Sequence, residues 1–132
     1  MAIETVHGGL AAVSEVVSEI EQVRAKHEKA IADLRDKPII IPVENGVVVP
    51  EAIAKARIAA IKASREASIL EREEALRREV VDLRDRGREK LEAARAAMET
   101  DYYKAVAGTG PSGGEWAEAE ARAAFVKEDL ER

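Results

Sequence analysis

Two histidines are the first residues to weigh, because imidazole is both the usual proton carrier near neutral pH and a common metal ligand. His7 and His27 lie in different elements, and neither stands at metal-ligand spacing from a second histidine or a carboxylate. The run Gly108-Thr109-Gly110-Pro111-Ser112-Gly113-Gly114 has the glycines of a phosphate loop but no lysine and no strand before it, so it reads as a hinge. The many glutamates are those of solvated helix faces rather than of acid/base dyads. No nucleophile, base and orienting acid form a recognisable motif. The expectation is a protein that is not an enzyme, with no catalytic residues, cofactor or metal.

The remaining candidates are binding residues. Arg84, Arg86, Arg88 and Lys90 form a basic cluster able to meet phosphate, but Asp82, Asp85 and Glu89 stand among them. With 26 acidic against 21 basic side chains and a formal charge of -5, nucleic acid is disfavoured as the main partner. Tyr102, Tyr103, Trp116 and Phe125 flank the glycine run on its two sides. They read as a small local core rather than a site for an aromatic ligand.

These residues must be positioned by elements of an unusual kind. The chain has 132 residues, 36% charged and 3% aromatic, with much of its 46% hydrophobic content supplied by alanine. That is the composition of long or coiled helices. Cysteine is absent, which excludes disulfides and thiolate sites. No signal-like start and no run of about 18 apolar residues is found, so a soluble protein made in the cytoplasm, with no membrane partner, is expected.

The organising stretch runs over residues 51–107, with no internal proline and one glycine, Gly87. As one helix it would extend on the order of 85 Å. Leu76, Val80, Leu83, Gly87, Leu91, Ala94, Met98, Tyr102 and Ala105 repeat in steps of four, three and four. Carried backwards, the register collects Ala54, Ile58, Ile61, Arg65, Ile69 and Arg72. An 11-residue period keeps such a stripe nearly straight or slightly right-handed. Acid-to-base pairs four apart, such as Glu73 with Arg77 and Glu74 with Arg78, support the charged middle.

Before it, residues 1–9 read as a flexible arm ending at Gly8-Gly9, and residues 10–36 as helix one. Its seam is Leu10, Val13, Val17, Ile20, Ile31 and Leu34, interrupted by Arg24 and His27. Either Val23 and Ala30 take over while those two polar residues reach the rim, or a polar layer sets register. Residues 37–50 read as a β-hairpin connector turning at Asn45-Gly46. It exposes Ile39, Ile40, Ile41, Val47, Val48 and Val49 unless something covers them. After the hinge at 108–113, residues 114–131 form a C-terminal helix folded back on the end of the long one, with Phe125 reaching the turn of Ala94 and Met98.

The fold expected is therefore mainly α: an elongated helical or coiled-coil protein, one structural domain, two helices thick at every cross-section. Such a rod needs partners. The expected contact residues are Ile39, Ile40, Ile41, Val47, Val48, Val49, Leu76, Val80, Leu83, Leu91, Met98, Tyr102, Trp116 and Phe125. The leading function is a structural or assembly subunit, partnered by itself or by other subunits. In size and plainness, though in no specific motif, it resembles the small helical accessory proteins of tailed-phage particles, which implies incorporation into a virion. The alternatives are a regulatory adaptor that captures a partner helix or strand, and a nucleic-acid-associated coiled coil.

Overall fold

A continuous helical register from Glu51 onward, without proline, leaves the backbone no reason to break before the glycine run. The computed structural model bears this out with a helix of 56 residues, α2 (Glu51–Val106), between α1 (Ala2–Asp36) and α3 (Gly113–Glu131). It describes the backbone of residues 2–40, 50–106 and 113–132, and the side chains of 3–40, 50–100 and 114–132. The described residues contain these three helices and no strand, so the chain is mainly α. The hairpin connector expected over 37–50 lies, for residues 41–49, outside the described residues; residues 37–40 and 50 carry no strand. The hinge lies outside them too, apart from Gly113, which opens α3.

Two compact units are formed, Met1–Val23 with Glu79–Arg132, and Arg24–Arg78. In the first unit α1 and α3 both run antiparallel to α2. Gly9 meets Ala94 and Val16 meets Gly87, while Trp116 shares a groove with Met98 and Leu130 reaches Gly87. This unit is three helices thick, not two as expected, because α1 lies along the same stretch of α2 as α3, so that Val16 and Leu130 both reach Gly87. α1 also starts at Ala2 instead of Leu10. The arm predicted over 1–9 is helical, and Gly8 and Gly9 are interior helix positions.

The glycines cost a helix about 1 kcal/mol each relative to alanine. Val6, with no exposure, offsets this by burial of the ~1.5–3 kcal/mol order. Gly9 also permits close approach, since a Cβ there would lie 3.2 Å from the Cβ of Ala94.

The α1 seam is correspondingly wider than a two-helix seam. Val6, Leu10, Val13, Val16 and Ile20 are buried, and the expected Val17 is only half-buried. A helix packed against two neighbours covers a broader arc than a coiled-coil a/d stripe. From α2 come Val80, Leu83, Leu91, Ala94 and Met98, and from α3 Trp116, Ala119, Ala123, Val126 and Leu130.

In the second unit the end of α1 lies against α2 between Arg65 and Glu73, and Ile39 and Ile40, just past α1, share a groove with Ile61 and Ser64. Arg35 pairs with Glu73 at 3.6 Å. Among its described residues, His27, Ile31 and Ile69 are buried. His27 does not reach the rim as the snorkelling alternative required: it is 3% exposed, whereas Val23, Arg24 and Ala30 are half-buried. Along α2 every described position of the 11-residue stripe, from Ala54 to Met98, is buried or half-buried.

Candidate functional site

The residues expected to meet a partner divide into three groups. Val80, Leu83, Leu91, Met98 and Trp116 are 5–8% exposed and form the core of the first unit, so the chain covers them itself. Leu76 and Ile39 are half-buried, and Ile40 is 76% exposed. Ile41, Val47, Val48, Val49 and the side chain of Tyr102 lie outside the described residues. Phe125 does not reach Ala94 and Met98; it is 72% exposed. One residue before Val126, it is turned by about 100° from the buried stripe of α3. Ala123 takes its expected place in the groove of about 430 Å³ with Met98 and Trp116.

The second unit holds a groove of about 320 Å³ floored by Leu34, Ile39, Ile40 and Ile61, with Arg65 at its side. Arg65 explains why a cation occupies the buried stripe. Its guanidinium donates to the carbonyl oxygens of Arg35, at 3.4 Å, and of Lys37. The last carbonyls of a helix have no partner within it, and they carry the negative end of its dipole. A seam arginine thus caps α1.

The end of α3 is held by the same device. Arg84 Nε donates to the Leu130 carbonyl at 3.0 Å. Arg88 grips Glu131 with two parallel bonds, Nε to Oε1 at 2.7 Å and Nη2 to Oε2 at 2.6 Å. This fork geometry holds the Glu131 carboxyl below the usual carboxylate range and raises the Arg88 guanidinium, each chiefly through their shared hydrogen bonds. Two members of the basic cluster, Arg84 and Arg88, are therefore engaged within the chain. Glu73 likewise pairs with Arg35 rather than with the expected Arg77, which bonds Glu74 at 3.0 Å. Arg78 does take Glu74, at 3.3 Å.

His7 also has a task that spacing did not reveal. Arg122 Nη1 lies 2.8 Å from His7 Nδ1. Arginine has no acceptor, so Nδ1 must be the bare nitrogen of the ring. The contact ties α3 to α1. Among the described residues no three His, Asp or Glu side chains gather as a metal would require, and no helix is long and apolar enough to cross a membrane.

In the second unit Leu34, Ile58 and Ile61 are only half-buried, while Ile53 and Leu70 are 46% and 59% exposed. Compared with known protein families, curated proteins and solved structures, the chain matches none.

Proposed function

We propose that this chain is a non-catalytic structural or assembly protein, a helical subunit that works in association with copies of itself or within a larger complex. The observation that carries the reading is the contrast between its two units. The first encloses its stripe with three helices. The second has two among its described residues: its stripe is only half-buried at Ala54, Ile58 and Ile61, and Ile40, Ile53 and Leu70 are exposed. Val81 and Phe125, which the first unit exposes, lie off its stripe. Helical stability comes mainly from packing an apolar face, so a pair of segments with this much open apolar surface gains by acquiring a partner. A particle of the tailed-phage type is the setting that goes with this proposal.

Light scattering on the purified chain across a hundredfold concentration range tests it. Mass and thermal midpoint should both rise with concentration, since association stabilises the folded state by mass action. A folded monomer with an invariant midpoint would refute self-assembly and favour the adaptor function.

A further inference from the structure

The exposed side of α2 in the second unit has an order of its own. On an 11-residue period, residues eleven apart stand in line along a helix. The buried and half-buried stripe includes Ala54, Ile58, Ile61, Arg65 and Ile69. A shift of two residues, a turn of about 200°, gives Ala52, Ala56, Ala59, Ala63, Ala67 and Leu70, in the same steps and all exposed. Ile53, Ala60 and Ser64 widen this face on one edge, and no charge interrupts it between 52 and 70. A solvated helix face is ordinarily charged. This one is flat, uncharged and anchored by two large apolar side chains, Ile53 and Leu70.

Between 52 and 70 charge is confined to the other edge, whose two lines are Glu51, Lys62 and Glu73, then Lys55, Glu66 and Arg77. Beyond 70 the uncharged face ends at Glu71 and Glu74, in line with Ala60 and Ala63. Set against a copy of itself running the opposite way, this edge is self-complementary. Glu51 meets Arg77, Lys55 meets Glu73, and Lys62 meets Glu66. The three pairs share one midpoint, Ser64, next to Ala63 on the uncharged face. A parallel pairing would set the charged edge against Ile53, Ala60 and Ser64, which offer no countercharge. Lys55, Glu73 and Arg77 already touch Glu51, Arg35 and Glu74, at 3.1, 3.6 and 3.0 Å. These are exposed pairs of small net worth that can exchange partners.

From this face and its edge we infer that the occupant is a second copy of this chain, its α2 docked antiparallel across residues 51–77 about a two-fold axis near Ser64. The alanines let the two helix axes approach to the short end of the ~8–10 Å range. The shared 11-residue period keeps the faces matched without supercoiling. A two-fold contact uses the same patch on both partners, which the symmetric charge pattern requires. This inference rests on the assembly reading above and names its surface.

The chain has no cysteine, so single spin labels can be placed cleanly at Ser64→Cys and at Ala52→Cys, with electron-spin distances measured alongside the mass. Antiparallel docking puts the two labels at position 64 close together and those at position 52 about 35 Å apart. Short distances at both positions mean parallel docking and overturn the inference. An oligomeric mass with no short distance at position 64 overturns it while leaving the assembly reading intact. A monomeric mass removes both.

Charge reversal gives a second measurement. Lys62→Glu and Glu66→Lys should each weaken self-association, and an equimolar mixture of the two should restore it as a mixed dimer. An association unchanged by either reversal counts against the docked edge.

Discussion

Gly87 shows how much of this protein hangs on single positions. A Cβ there would stand 2.5 Å from Leu130 Cδ1 and 3.2 Å from Val16 Cγ1, so this glycine is the notch into which the other two helices of its unit fit. Leu130 is 1% exposed and has nowhere easy to go. Gly87→Val should cost about 1–3 kcal/mol by overpacking, read from urea unfolding. Gly8 is the opposite case, with nothing within 4 Å of its would-be Cβ. Gly8→Ala should raise stability by up to ~1 kcal/mol through helix propensity alone. A gain from both substitutions would mean that the notch is unused.

The ends of α1 and α3 are fastened by guanidinium groups of α2, and the fastening of α3 has a pH signature. Arg88 lowers the Glu131 carboxyl in the folded chain. The unfolded chain therefore binds a proton there more readily. The bridge's contribution is present above the unfolded carboxyl value and is lost as pH falls through the lower folded one. Glu131 is solvent-facing, so the effect is modest and screened by salt. The stability of the parent chain and of Glu131→Gln, followed from neutral to acid pH at low salt, should differ at neutral pH and converge in acid. A constant gap would assign the loss to packing instead of charge.

Burial and exposure separate folding from association. Leu10 is fully buried in the three-helix unit, and Leu10→Ala should destabilise the chain by about 2–5 kcal/mol. Leu70 is 59% exposed on the outer face of α2. Glutamine has similar helix propensity, so Leu70→Gln should change dilute-solution unfolding by less than about 0.5 kcal/mol. It should lower the oligomer fraction seen by light scattering. Equal losses of stability from both would place Leu70 in the fold and not at its surface.

Much of α2 is legible in the order of its residues. Its start after Pro50, its uninterrupted length and its buried stripe follow from backbone chemistry and from a periodicity written in consecutive positions. The same holds for the inward face of α3, Trp116 through Leu130. Less is legible where one segment's fate depends on another.

A Gly-Gly pair reads locally as a boundary. Here it is helix because Val6 is buried in the three-helix unit and because Gly9 lies close against Ala94. Val16 is more deeply buried than Val17 because a third helix widens the covered arc. Arg65, Arg84 and Arg88 look like solvated charges in sequence, and only the folded chain sets them at the ends of α1 and α3. Period is a local property of the chain, and the sequence by itself determined it. Which faces meet, and which is left for a partner, is a sum over distant pairs that only tertiary packing decides.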